Sequence, residues 1–376
     1  MEFGAKKMAK KVLFLDHADI LGGAEQSLLL LIKYLDKEKY LPVVGLTANA
    51  PLAKPLKELG VKTVNLKLPQ LKGVKRPFRL LKTVWEGVKE VKAVIRKEQI
   101  DLVHGNVLRA SIYGALAAYL SKKPFVWHVR DIKQQERFTA FFLSLLATKI
   151  LAISNAVKLA LPRFSQQRTS VLANALPLSE IEQNCFTAPS IRQRFGLPED
   201  AFVVANVGWL APWKGQDLLL QVAKKVLAVK KDVFFLVVGK VAHPKHKPWL
   251  DKLKKEAQAL NGKVIFTGIV NNIWEVMCHI DLLVHCAEEE PFGRVFLEAM
   301  ACQKPVVAFA GGGVDEVIAD GKSGYLVPYG EVDLMGQKIL ALANNKKKCQ
   351  AFGKAAYDRL KSNFEIKKQL KQLEQV

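Results

Sequence analysis

Residues 282–309 read LLVHCAEEEPFGRVFLEAMACQKPVVAF. A short apolar run at 282–285 ends in a histidine, an acidic loop follows, a helix opens near Gly293, and 305–309 is a second apolar run. Apolar strand, loop, helix and apolar strand in that order describe a parallel pair joined by a crossover helix. The alternation extends outward in both directions. Towards the N-terminus of the chain, strands are expected at 12–15, 42–46, 61–66, 102–104, 125–128 and 150–154, with a Gly-Gly turn and a helix over 24–35 after the first. Later in the chain they are expected at 202–207, 233–238, 264–266, 282–285, 305–309 and 325–328. This is a parallel α/β pattern. Between the two series, residues 172–190 (LANALPLSEIEQNCFTAPS) hold two prolines and no clear period, and read as an interdomain linker. A length of 376 residues also exceeds the roughly 250–300 at which one core stops growing.

Composition narrows the partners. The chain is 50% hydrophobic and 24% charged, which excludes disordered, collagenous and coiled-coil classes. Its net charge of +22 points to a polyanion: nucleic acid, anionic lipid or a phosphorylated ligand. The five cysteines are widely spaced without a CxxC, so neither a disulfide framework nor a zinc knuckle is indicated, and reduced thiols in a cytosolic protein are expected. The apolar run at 12–15 is too short for a signal-peptide core. Residues 139–154 are interrupted by Lys149 and fall short of the ~20 needed to span a bilayer.

The charge is uneven. Residues 1–187 hold 30 basic and 15 acidic groups, against 27 and 20 in the remainder. Within 71–97, nine Lys and Arg face only Glu86 and Glu90. Val74, Phe78, Leu81, Val84 or Trp85, Val88, Val91 and Ile95 recur there at helical steps, while Arg79, Lys82, Lys89, Lys92 and Arg96 lie largely off that stripe. Pro77 suits a first helical turn. The segment reads either as a basic helix whose stripe faces the core, or as an interfacial helix on anionic lipid, with Arg79, Lys82, Trp85, Lys89, Lys92 and Arg96 as the contacting residues.

Chemistry concentrates at 290–298, EPFGRVFLE. Backbone N–H groups at Gly293, Arg294 and Val295, next to Phe292, open a helix and form an anion site that the Arg294 guanidinium reinforces. Glu298, one turn in, can accept two hydroxyls as a carboxylate does from a ribose, and Glu290 can reach a sugar hydroxyl beyond the phosphates. In open α/β sheets ligands gather at this end of the strands.

With EAMAC-x-x-P-V-V after it, the E-x7-E arrangement resembles the retaining GT-B glycosyltransferases of family 4 (glycosyl transferases group 1). GGAEQSLL at 22–29, VGWLAPWKGQDLLL at 207–220, LAISNAVK at 151–158, VLANALPL at 171–178 and GKSGYLVPYG at 321–330 match that family in order and spacing. The resemblance implies two Rossmann-like doubly wound domains facing a cleft. An acceptor-binding domain would span 1–185, with a helix at 357–376 packing back on it, and a nucleotide-sugar domain would span 186–356. It further implies that Gly22 and Gly23 admit the donor's pyrophosphate and that Lys214 meets the leaving diphosphate. His128, in VWHVRD, would sit against the donor sugar, Glu290 would hold the sugar, and Glu298 the ribose. His128, Glu290 and Lys214 are the expected catalytic residues; Gly22, Gly23, Lys214, Glu290, Phe292, Gly293, Arg294, Val295 and Glu298 are the expected donor-binding set. No DxD motif occurs, in keeping with the family's metal independence, so cations and helix N-termini would carry the leaving-group charge, at ~3–4 kcal/mol per preorganised donor. One departure stands out: Trp209 stands where the resemblance leads one to expect arginine, so a phosphate contact is either missing or supplied by another residue such as Arg294 or Arg130. Cys286 stands where relatives often have serine.

The implied reaction is front-face transfer from a nucleotide diphosphate sugar, UDP- or GDP-linked before ADP-linked, to a glycan or lipid-linked hydroxyl at the cytoplasmic side of a membrane. No cofactor, metal or nucleic acid is expected. Two rivals remain at this stage. A glycoside hydrolase would use Glu290 and Glu298 as its carboxylate pair. A nucleic-acid-binding protein would account for the charge, although no RNA-binding aromatic signature or helix-turn-helix occurs. Asp16, His17 and His104 end strands and are weaker site candidates. His243 and His246 resemble a metal pair without a third ligand and read as a solvated loop, and Ser154 reads equally as a ligand contact or as a helix N-cap.

Overall fold

A computed structural model describes residues 9–71, 77–132 and 137–375. The first sheet comprises β1 (Lys10–Leu15), β2 (Tyr40–Leu46), β3 (Lys62–Asn65), β4 (Leu102–Gly105), β5 (Phe125–Val129), β6 (Lys149–Ala152) and β7 (Thr169–Val171). Their order is β3-β2-β1-β4-β5-β6-β7. The second comprises β8 (Phe202–Val207), β9 (Val233–Val238), β10 (Val264–Gly268), β11 (Leu282–His285), β12 (Val306–Phe309) and β13 (Gly324–Val327), ordered β10-β9-β8-β11-β12-β13. All described pairings within both sheets are parallel. The chain is therefore two Rossmann-like α/β sheets, and each reverses its strand order once, between β1 and β4 and between β8 and β11.

Burial explains why the strands read as unbroken apolar runs. In β5 all of Phe125, Val126, Trp127, His128 and Val129 are buried, as a parallel strand covered on both faces requires. The crossover helices supply the cover. Helix Gly23–Tyr34 buries Leu28, Leu31 and Ile32, and helix Gln216–Val229 buries Leu219, Leu220, Val222, Ala223 and Val226.

The chain divides into two compact units, one reaching Asn174 and resuming at Ile366, the other Ala175–Glu365. These bounds differ from the expected 185/186 and 356/357. The stretch read as a linker contains a helix, Leu178–Thr187, with Ile181 buried. That helix packs on helices Trp274–Met277 and Arg294–Ala301 of the second unit. Helix Lys346–Asn363 also packs on Arg294–Ala301. The last helix, Ile366–Glu374, belongs to the first unit: it packs on Gly23–Tyr34, Gln369 Nε2 donates to the Ala173 carbonyl, and Glu374 pairs with Lys39 at 2.9 Å.

Smaller departures have local causes. Strand β7 was not expected, because three residues, two of them polar, carry no readable alternation. Strand β6 stops at Ala152, and Ser154 caps the next helix by accepting from the Val157 N–H at 3.2 Å. The cysteines are not all reduced thiols: Cys185 and Cys278 form a disulfide. Tertiary packing joins them across 93 residues, a separation that no local spacing argument covers.

The basic segment is a helix, Pro77–Lys97; Lys72, Val74, Lys75 and Arg76 lie outside the described residues. Its apolar stripe divides. Val88, Val91 and Ile95 are buried in the core, while Phe78, Leu81 and Trp85 are 85%, 67% and 49% exposed. No described helix is long and apolar enough to cross a membrane.

Candidate functional site

In the second unit the strand-order reversal places the loops after β8 and β11 side by side. After β8 the chain makes a 3-10 turn, Pro212–Lys214, and enters helix Gln216–Val229 through Gly215 at φ 69°. A side chain at Gly215 would collide with the Cys286 carbonyl, so only glycine lets these two loops touch. The turn aims Lys214 at the β11 loop, where its Nζ meets Glu290 Oε2 at 2.6 Å. His285 Nε2 lies 3.2 Å from the same oxygen. Burial pushes the Glu290 carboxyl up, but His285 and the Lys214 charge outweigh it and hold the group well below the ordinary carboxylate range. Burial also lowers His285, so its ring is neutral near pH 7. The Glu290 carbonyl is pinned as well, accepting the Gly313 N–H at 2.8 Å.

Three residues after Glu290, Gly293 at φ 81° is the N-cap of helix Arg294–Ala301. A Cβ there would strike the Phe296 ring, and that ring in turn stands edge-on to His285 at 5.0 Å. Glu298 is buried with Arg294 Nη2 3.4 Å away. Burial raises its carboxyl, and Arg294 only partly offsets the rise. Helix start, guanidinium, ammonium and two carboxylates thus gather at the carboxyl ends of β8 and β11, a composition suited to a ligand bearing both phosphate and hydroxyl groups.

In the first unit the matching reversal, between β1 and β4, carries a hydrogen-bonded network. Asp16, at the end of β1, accepts from Ala18 N–H at 2.8 Å and from Asn106 Nδ2 at 2.7 Å. Asn106 Oδ1 accepts from Arg130 Nε at 2.7 Å, and Arg130 Nη1 reaches Asn174 Oδ1 at 3.0 Å. Arg130 Nη2 stands 3.3 Å from His128 Nδ1, and His104 Nε2 is 3.2 Å from the same nitrogen. A guanidinium can only donate, so His128 Nδ1 accepts and the proton of its neutral ring sits on Nε2. That Nε2 is buried and has no partner among the described residues. Burial, then Arg130, drives His128 well below the usual imidazole range and brings His104 down to about 3. Ala24, Glu25, Asn106, His128, Arg130 and Asp131 are among the residues lining a pocket of about 180 Å³ here.

Residues 187–359 match the family described as Glycosyl transferases group 1, and residues 21–180 match Glycosyltransferase Family 4. The chain belongs to these glycosyltransferases. It is 27% identical over 263 residues to trehalose synthase of Thermococcus litoralis, covering 67% of this chain and 63% of that protein. The phosphatidylinositol N-acetylglucosaminyltransferase GPI3 subunit of Saccharomyces cerevisiae is 26% identical over 250 residues, 63% of this chain and 54% of that one. The chain thus spans less than two thirds of these relatives' length. Anabaena HepE, solved in complex with UDP-glucose, is 25% identical with a TM-score of 0.81 over 97% of this chain and 98% of its own. A Rickettsia africae glycosyltransferase at 19% identity shares the fold, with a TM-score of 0.83.

In this member of the family the expected donor-side residues differ in what they touch. Lys214 and Glu290 meet directly, and Arg294 meets Glu298. Val295 is partly exposed in the first helical turn, whereas Phe292 is a buried packing residue, edge-on to Phe364 at 5.7 Å. Gly22 is the N-cap of Gly23–Tyr34, and its N–H donates to the Glu25 carboxylate at 2.8 Å. A phosphate approaching Gly22 would have to displace that carboxylate. Trp209 stacks under the Lys240 ammonium at 5.4 Å, so a lysine stands beside the position where the family resemblance implied an arginine. His243 accepts from the Lys245 N–H, and His246 packs on Trp213; neither belongs to a metal-ligand cluster among the described residues. His285, Asn106, Asn174 and Glu25 were not singled out from sequence. The histidine ending the apolar run at 282–285 was the available signal for His285.

Proposed function

We propose that the chain is a retaining glycosyltransferase that moves a sugar from a nucleotide diphosphate donor, UDP- or GDP-linked before ADP-linked, to a hydroxyl of a glycan or lipid-linked acceptor, without a metal ion. The observation that carries this reading is the Lys214–Glu290 pair standing three residues before the Gly293 helix start. An ammonium has three protons. One binds Glu290, which fixes the side chain, and the others remain to meet the β-phosphate of the leaving diphosphate. Arg294 and the first-turn N–H groups add positive potential where charge develops. Glu298 accepts the ribose hydroxyls. His128, held neutral, offers its Nε2–H to a sugar hydroxyl as a hydrogen-bond donor rather than as an acid. With no side chain placed as a nucleophile in this reading, the leaving phosphate takes the acceptor's proton on the face it departs from, which retains configuration. HepE, the relative solved with UDP-glucose, supports a uridine nucleotide as donor.

The test is a thermal-shift and turnover panel of UDP, GDP, ADP and their sugars. A ligand bound only by the folded chain raises its melting temperature. Acceptor-dependent release of nucleoside diphosphate supports the reading; release of free sugar from a simple glycoside, with no response to any nucleotide, overturns it.

The membrane side of the proposal rests on helix Pro77–Lys97. Phe78, Leu81 and Trp85 are exposed there, and Arg79, Lys82, Lys89, Lys92 and Arg96 are exposed on the same helix, with Lys89 5.8 Å from the Trp85 ring centre. Helix Arg137–Leu146 of the same unit exposes Phe138, Phe141 and Leu145. Apolar anchors beside lysines are what an anionic interface binds, at about 1 kcal/mol per basic residue. Replacing Arg79, Lys82, Lys89 and Arg96 with Gln should reduce sedimentation with anionic vesicles and spare turnover on a soluble acceptor; unchanged sedimentation would assign the helix to ordinary solvent exposure.

A further inference from the structure

Three cysteines from three separate helical segments converge in the second unit. Cys185 lies in helix Leu178–Thr187, Cys278 is the C-cap of Trp274–Met277, and Cys302 is the C-cap of Arg294–Ala301. Cys185 and Cys278 are bonded; Cys302 Sγ stands 3.3 Å from the first sulfur and 3.5 Å from the second. A disulfide needs no third sulfur. The other cysteines show the ordinary alternative: Cys286 and Cys349 are buried apart from the cluster, one against Met335 Sδ at 3.8 Å and the other against the Asp281 carbonyl at 3.6 Å.

Because Cys302 is nearly equidistant from both bonded sulfurs, it lies beside their bond and not along its axis. Thiol–disulfide exchange needs an attacker near that axis, so the arrangement is poorly posed for it. A triangle of sulfurs is instead one face of a tetrahedron. Zinc–thiolate bonds of about 2.3 Å put tetrahedral sulfurs roughly 3.8 Å apart, a little beyond the two distances seen at Cys302. All three residues are partly exposed, which leaves the fourth corner to water.

We propose that Cys185, Cys278 and Cys302, once reduced, form a three-thiolate site for a thiophilic divalent cation such as Zn²⁺. The structure holds the oxidised form. A dithiol reductant breaks the Cys185–Cys278 bond: two electrons and two protons pass to the two sulfurs, and the reductant closes its own disulfide. Binding the cation then releases the three thiol protons. The bound ion would tie the helix carrying Arg294 and Glu298 to Leu178–Thr187, which packs on it, and to Trp274–Met277, which packs on Leu178–Thr187.

The experiment uses the full chain, reduced with excess dithiol, desalted anaerobically and titrated with Zn²⁺ against a chromogenic chelator, with Co²⁺ as a parallel optical probe. About one Zn²⁺ should bind per reduced chain, with thiolate-to-cobalt absorption for Co²⁺, and the oxidised chain should bind none. Cys302→Ser should weaken binding by on the order of a hundredfold or more, and Cys349→Ser should leave it unchanged. Matching metal-free melting temperatures certify that the Cys302 variant folds, and Cys185→Ser provides an independent loss of one ligand if it does not. Absence of binding by the reduced wild-type chain, equal affinity in Cys302→Ser, or binding that survives oxidation would each overturn the proposal.

Discussion

The two strand-order reversals of this chain occupy the same place in the same kind of sheet, yet they are built by opposite means. At the β8/β11 reversal the groups are charged and paired: Lys214 with Glu290, Arg294 with Glu298. At the β1/β4 reversal, Arg130 is bonded to the amides of Asn106 and Asn174 and placed beside the neutral His128, and the Asp16 carboxylate is joined to it through Asn106. The first arrangement can meet a ligand's charge by sharing partners it already holds. The second cannot add charge cheaply, because burial has driven both histidines neutral; what it can do is orient. The fold supplies the location, and the side chains decide whether that location stabilises charge or positions a neutral group.

Removing the ammonium should break the charged member of this contrast most severely. Lys214→Ala takes away the cation assigned to the leaving diphosphate and leaves Glu290 buried beside His285 alone. Turnover should fall by about 10²–10³, the range seen when a preorganised transition-state donor is lost, and nucleoside diphosphate binding should weaken in calorimetry. Lys214→Arg, which keeps the charge but changes its shape, should recover part of the loss. Turnover within threefold of wild type in Lys214→Ala would remove the residue from the chemistry.

Glu298→Ala should act more gently. The carboxylate is assigned to ribose hydroxyls, distant from the bond that breaks, so nucleotide affinity should fall at least tenfold, about 1.4 kcal/mol, with the loss in KM and not in kcat. Unchanged affinity would mean that Glu298 serves only to hold Arg294.

Much of this was legible in the sequence for a physical reason. Parallel strands buried on both faces announce themselves as apolar runs, and the loops after β8 and β11 carry Lys214, Glu290 and Gly293, while His128 lies within β5; the expected roles of Lys214 and His128 came from the family resemblance and not from periodicity. What escaped was pairing at long range. The Lys214–Glu290 contact spans 76 residues and the approach of Cys302 to Cys185 spans 117; no spacing rule reports such convergence. The helix Leu178–Thr187 hid behind its prolines and its neighbours' polar composition, because what stabilises it is packing on the second unit and not local periodicity. Glu25 was read only as part of a glycine motif, although a glutamate three residues after an N-cap is a known back-bonding position.

The neutral member of the comparison responds to pH, with the smallest expected effect. His104 titrates at about 3 in the folded chain against roughly 6.5 when unfolded. Between those values the unfolded state takes up a proton that the folded state refuses. Stability contributed by the neutral ring is therefore complete above about 6.5 and is lost as pH falls from there towards 3, at up to about 1.4 kcal/mol per pH unit for one histidine. Replacing His104 with Asn keeps a donor facing His128 and removes that titration. The variant should melt lower than wild type near pH 7.5, because a ring is lost from the core, but the gap should narrow by roughly 1 kcal/mol on going to pH 5.5. Denaturant melts at the two pH values read this directly. A gap that stays constant would mean that the imidazole at 104 takes up its proton as readily in the folded chain as in the unfolded one, and the neutral, orienting role assigned to the first unit's network would then fail.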